Sequence, residues 1–217
     1  MSRQEIQFTL DLYGDQLATA IWTHLYYVCV SVGSAFVIAL IAGILLSRSP
    51  KWAHYVLPVI SISQTIPGIV FVGILFLYLG MVPLTVIIAL TIYAIFPILK
   101  NTYIGILEVE PQCREAAIGC GMSGFQMLTR VELPLAAPAI FSGLKMATVY
   151  TVSWAVLAAI IGMGGLGELI YMGVSTNNNV LILFGAVPAA IMAVALSLCV
   201  DCVKRRSMAW RRGRDNA

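Results

Sequence analysis

Five long apolar stretches, at residues 22–46, 55–79, 83–99, 135–162 and 180–200, restrict this chain to folds that cross a bilayer. A spanning helix needs roughly 20 predominantly apolar residues. Each stretch is near or above that length, and the third, the shortest, lengthens if residues 103–107 continue it. Charged residues make up 11% of the chain, hydrophobic ones 60%, and the mean hydropathy is +0.92. A soluble domain carries about 25% charged residues. The expected fold class is therefore an all-α integral membrane protein with about five transmembrane helices.

The basic residues alternate along the connections. Arg48 and Lys51 follow the first stretch, while the turn at Gly80-Met81-Val82 has none. Lys100, Arg114 and Arg130 surround the third connection, and residues 168–179 again have none. The C-terminal segment holds Lys204, Arg205, Arg206, Arg211, Arg212 and Arg214. Because Lys/Arg-rich connections stay in the cytoplasm, the pattern predicts an outside N-terminus and an inside C-terminus. It divides the chain into an external or interfacial segment (1–21), a transmembrane domain (22–203) and a basic cytoplasmic tail (204–217). The tail reads as a topology signal that also meets anionic lipid, and the net charge of +3 gives no reason to expect nucleic acid. Residues 1–20 lack the basic start and apolar core of a cleavable signal.

The third connection, at about 108–134, is the most patterned part of the chain. Val109-Glu110-Pro111 predicts a helix start, since proline loses no hydrogen bond at the first helical position. That helix runs to about Ile118, and Gly119 and Gly121 permit a sharp turn. Ser123 with Gln126 three residues on predicts a capping box for a second helix over 124–131. Pro134 is expected to open the fourth span. Helix, glycine turn and helix make a compact knob on the side predicted to be cytoplasmic.

Within it Glu115-Ala116-Ala117, then Gly121, then Val131-Glu132-Leu133-Pro134 carry a fixed spacing. Three residues separate Ala117 from Gly121, and nine separate Gly121 from Val131. This resembles the EAA loop of permease subunits in binding-protein-dependent ABC importers, a type I importer permease architecture. The resemblance implies that Glu115, Ala116, Ala117, Gly121, Val131, Leu133 and Pro134 form the contact with a cytoplasmic ATPase. Glu115 is expected to anchor the knob, either to the partner or to the loop's own amides, with Ala116 and Ala117 keeping its face small. An ordinary amphipathic helix with surface glutamates would explain Glu-Ala-Ala alone, but not the spacing through Leu-Pro.

In the second stretch Gln64-Thr65-Ile66-Pro67-Gly68 places polar side chains beside a helix-breaking pair. Such a break frees backbone groups that protein or water must satisfy, and it points to a pathway or gate at Gln64, Thr65 and Pro67. The plainer reading is hydrogen bonding between neighbouring helices. Lys145 is expected to snorkel rather than to line a pore, and His24 to be packed or interfacial. Gly162, Gly164 and Gly167 spell GxGxxG, but no βαβ unit surrounds them, so they read as a tight outer turn. Asn177-Asn178-Asn179 continues that outer loop, where a binding protein would dock. Five cysteines, including Cys199 and Cys202, suggest neither disulfides nor a metal site.

From Gln64-Thr65-Ile66-Pro67, through Pro97-Ile98-Leu99-Lys100-Asn101-Thr102-Tyr103 and the knob, to Gly162-Met163-Gly164-Gly165-Leu166-Gly167, the chain resembles permeases of osmoprotectant importers. That family takes up glycine betaine, choline or carnitine, and one branch takes ergothioneine. The resemblance implies a multi-pass protein of the bacterial cytoplasmic (inner) membrane, no catalytic residue, no metal and no cofactor bound by this chain. It also implies two ATPase copies carrying ATP and Mg, a second permease (the same or a related chain) and an extracytoplasmic binding protein. A methionine or other amino-acid importer is the alternative within transport. A stand-alone channel leaves the loop spacing unexplained, and a membrane enzyme would need converging carboxylates or histidines inside the spans.

Overall fold

The structure is a computed structural model that describes residues 3–208, so Arg211, Arg212 and Arg214 lie outside the described residues. All its regular structure is helical. The elements are α1 (Arg3–Ser47), α2 (Pro50–Ser63), α3 (Gly68–Leu79), α4 (Pro83–Leu107), α5 (Pro111–Gly119), α6 (Gly124–Met127), α7 (Leu133–Ala155), α8 (Leu166–Ser175) and α9 (Asn179–Ser207). A π turn (Leu128–Glu132) joins α6 to α7, and a 3₁₀ turn (Val156–Ile161) follows α7.

Among the described residues, four helical segments are long and apolar enough to cross a membrane: Gln7–Ser47, Pro83–Leu107, Gly124–Ala159 and Asn179–Ser207. The expected second span, 55–79, is not one helix. It divides into α2 and α3 around residues 64–67, because Pro67 denies the ladder a donor and its ring excludes the preceding residue from helical geometry. The third span extends beyond residue 99 to Leu107. Helix α1 has 45 residues, or about 67 Å at 1.5 Å per residue. That is about twice the hydrocarbon thickness, so the helix carries straight through residue 21 and overruns the bilayer. Lys204, Arg205 and Arg206 form the last turn of α9.

Helices α1, α4 and α7 form the centre. Lipid offers no hydrophobic drive for helices to associate, so close packing of small residues must hold them. Ala35 and Ala39 of α1, Ala89 and Ala94 of α4, and Ala136 and Ala147 of α7 are all buried at these crossings. A Cβ on Gly105 would stand 2.7 Å from that of Ala139, and one on Gly143 2.7 Å from the Pro97 carbonyl. Large apolar side chains instead point outward, among them Leu45, Leu77, Val187 and Ile191.

Candidate functional site

The knob follows directly from its sequence. Pro111 sits in the first turn of α5, as expected. The helix stops in a Schellman arrangement, with the Met122 amide donating to the Ala117 carbonyl (3.1 Å) and the Gly121 amide to that of Ile118 (2.9 Å). This closure needs a left-handed residue after the cap, and Gly121 supplies it at φ +72°. Ser123 then caps α6. Its hydroxyl accepts from the Gln126 amide at 3.3 Å, while its own amide donates to Gln126 Oε1 at 2.9 Å.

The second knob helix does not end before Pro134. Pro134 lies in the first turn of α7, yet the chain stays helical across it through the π turn, where the Leu133 amide donates to the Leu128 carbonyl. Proline cannot donate to the carbonyl four residues back, and one wider turn absorbs that defect without breaking the helix. Residues 124–159 therefore form one helical segment, and α6 is continuous with a span.

The structure distributes the motif residues unequally. Ala117 is buried, Val131, Leu133 and Pro134 are half-buried, and Glu115, Ala116 and Gly121 are exposed. Glu115 makes no hydrogen bond or ion pair with the described residues. On the same knob Ile118 of α5 (64%) and Phe125 of α6 (75%) stand in the open.

The carboxylate that is anchored inside the chain is Glu132, which has 0% exposure. Arg48 grips it with both guanidinium nitrogens, Nη1 donating to Oε1 at 3.1 Å and Nη2 to Oε2. Arg114 Nε lies 3.2 Å from Oε1 without hydrogen-bond geometry, and Arg114 Nη2 donates to the Ile106 carbonyl at 2.5 Å. In the sequence the two arginines read only as topology signals, and no local pattern gives Glu132 a role. Arg48 and Glu132 are 84 positions apart, and only the tertiary fold brings them together.

At the break, Tyr93 of α4 satisfies the freed backbone. Its hydroxyl donates to the Ile66 carbonyl at 2.7 Å, and its own carbonyl accepts from Gln64 Nε2 at 3.2 Å. Thr65 is exposed and donates to the Ile62 carbonyl at 2.7 Å, and Pro67 is exposed. Trp154 stacks on the Tyr93 ring at 4.8 Å, and Phe71 meets that ring edge-on at 5.5 Å. These aromatic faces are occupied by one another, so they brace the break rather than forming an open cage.

Lys145 does not stand alone, because its Nζ lies 2.6 Å from Asp201 Oδ2 on α9. Asp201 lies just past the expected end of the last span, so the pairing was invisible in sequence. His24 is fully buried and donates from Nε2 to the Val152 carbonyl at 3.0 Å, the role of a packed histidine. Gly162, Gly164 and Gly165 have positive φ and make the turn between the 3₁₀ segment and α8. Gly167 has a different reason to be glycine, since it packs against the Val156 backbone. Cys199, Cys202 and the other three cysteines are free thiols, and no cluster of three metal-binding side chains occurs among the described residues.

A bundle of apolar helices with a helix–turn–helix knob continuous with one span defines a polytopic membrane protein of the permease type. The chain belongs to the family described as binding-protein-dependent transport system inner membrane component, which it matches over residues 35–211. Carnitine transport permease protein OpuCB of Listeria monocytogenes is 38% identical over 193 residues, covering 89% of this chain and 88% of that protein. Glycine betaine/carnitine/choline transport system permease protein OpuCB of Bacillus subtilis is 34% identical over 197 residues, 91% of each chain. The MetNI methionine ABC transporter, in an inward-facing crystal form, superimposes with a TM-score of 0.81 at 22% identity. The match covers 95% of this chain and 99% of that one, and it establishes the shared fold. As a permease component of an ABC importer in the inner membrane, the chain works with an ATPase and a substrate-binding partner and is not itself an enzyme.

Proposed function

We propose that this chain forms the translocation path for a betaine-type compatible solute (glycine betaine, choline, carnitine or a relative) and couples it to ATP hydrolysis through the knob. The observation that carries the coupling is the exposure of Glu115, Ala116, Ile118 and Phe125 on a knob whose second helix runs unbroken into α7. These side chains are available to a partner, and a continuous helix carries a displacement towards the membrane. The substrate class is supported by relatives named for carnitine, choline and glycine betaine transport.

In this reading the N-terminus is outside and the C-terminus inside. The complex holds two ATPase copies, which carry ATP and Mg, and a second permease of the same or related sequence. The binding protein docks at the outer connections, including Asn177 to Asn179. The pathway passes the break at Gln64, Thr65 and Pro67, where the backbone is irregular and polar groups reach the span.

Uptake of labelled glycine betaine, choline, carnitine and ergothioneine into vesicles holding this chain, its ATPase and its binding protein tests the reading. ATP-dependent uptake of one solute is expected, and it is lost with Glu115→Ala or Gly121→Val. Full uptake by both variants would remove the coupling assignment. An assembled, hydrolysing complex that takes up none of the four would move the substrate to amino acids or another class.

A further inference from the structure

We infer that Glu132 is the positioning residue that makes the knob and the membrane helices a single mechanical body. Its salt-bridge cluster is what lets a movement of the knob become a movement of the spans. The inference rests on the coupling reading above and goes beyond it, because Glu132 does not lie on the exposed docking face.

The cluster joins every cytoplasm-proximal part of the central bundle. Arg48 belongs to the connection between α1 and α2, Arg114 to α5, and Glu132 to the π turn leading into α7. Arg114 also holds the Ile106 carbonyl, in the last turn of α4. One fully buried carboxylate thus ties the ends of α1, α4 and α7 to the first knob helix.

Stability is a weak account of such an arrangement. Glu132 is fully buried, whereas the Arg48 and Arg114 side chains are 40% and 29% exposed, so the carboxylate's desolvation offsets much of the attraction, and the best-attested use of such a group is to fix register. The location supplies the reason for register here. A π turn is wider than the α-helix around it, and such turns are frequent at functional sites. Left to itself, the turn at 128–132 is the point where a push on α6 would bend the helix instead of moving α7. The bidentate arginine fork is geometrically demanding, and it clamps this turn to α1. The second arginine keeps α5 in step with it.

The test uses the complete complex in vesicles and measures solute transported per ATP hydrolysed. Arg48→Gln removes the clamp on α1 but leaves Glu132 paired with Arg114, so no carboxylate is stranded. Glu132→Gln keeps the side chain's shape and removes its charge. Both variants are expected to bind the ATPase in wild-type proportion and to hydrolyse ATP, with transport per ATP lowered at least about five-fold, the lower end of ordinary coupling energies. A purely structural role would instead lower the amount or melting temperature of the complex and leave that ratio unchanged. An unchanged ratio in Arg48→Gln overturns the inference, even where Glu132→Gln fails to assemble. Phe125→Asp tests the docking reading separately. If it leaves ATPase binding and transport intact, docking at this face is wrong, whatever the cluster variants do.

Discussion

Replacing Gly167 with alanine sets two effects of opposite sign against each other, and the structure decides between them. Alanine is the better helix former by up to about 1 kcal/mol, and Gly167 is the second residue of α8. Against this, a Cβ at 167 would overlap the Val156 carbonyl oxygen and stand 2.8 Å from its carbon and 3.0 Å from the Val156 Cα. Ordinary contact with the Val156 oxygen, at 3.4 Å, would require the 3₁₀ turn and α8 to part by about 1.4 Å. The obstacle is backbone and cannot rotate aside, so the cost belongs at the upper end of overpacking, about 3 kcal/mol. The net expectation is a loss of about 2 kcal/mol, roughly a 30-fold fall in the folded-to-unfolded ratio. For a chain of this size that is a melting temperature lower by about 4–8 °C. Thermal unfolding in detergent micelles measures it. Gly14→Ala is the internal control, because that helical position has nothing within 4 Å of a Cβ and should gain up to about 1 kcal/mol. If Gly167→Ala raises the midpoint as Gly14→Ala does, propensity has won and the packing argument is wrong.

Two further substitutions probe the break and the knob. Tyr93→Phe removes the donor to the Ile66 carbonyl, whose place in the ladder is lost because the Val70 amide turns to Pro67. About 1 kcal/mol is at stake, and faster hydrogen exchange across residues 68–71 is the expected sign; unchanged exchange would mean that Tyr93 does not brace the break. Ser123→Ala should cost about 1 kcal/mol of local cap stability, seen as roughly five-fold faster exchange of the Gln126 amide. Wild-type protection there would show that continuity with α7, rather than the capping box, holds α6.

Local chemistry was legible wherever neighbouring residues settle it. Pro111, Gly121 and the Ser123–Gln126 pair predicted helix, turn and cap within the knob, because each acts on backbone a few positions away. The same local logic marked Gln64 to Gly68 as a break, although it could not say that the span would become two helices. Pro134 does open α7, as its position suggested, but the π turn that keeps the chain helical up to it has no local signature. Glu115 is exposed and makes no contact with the loop's own amides, which leaves it open to a partner, while Glu132, to which no local pattern gives a role, takes the arginines.

By itself the sequence determined that this chain is a bundle of apolar helices with one patterned polar connection. Lipid demands long runs of apolar residues, and backbone satisfaction within lipid demands helices. Only the tertiary structure decided which charges meet. Arg48 with Glu132, and Lys145 with Asp201, are 84 and 56 positions apart. Nothing periodic links them, because an ion pair depends on distance in space, and that distance is set by small residues letting α1, α4, α7 and α9 approach.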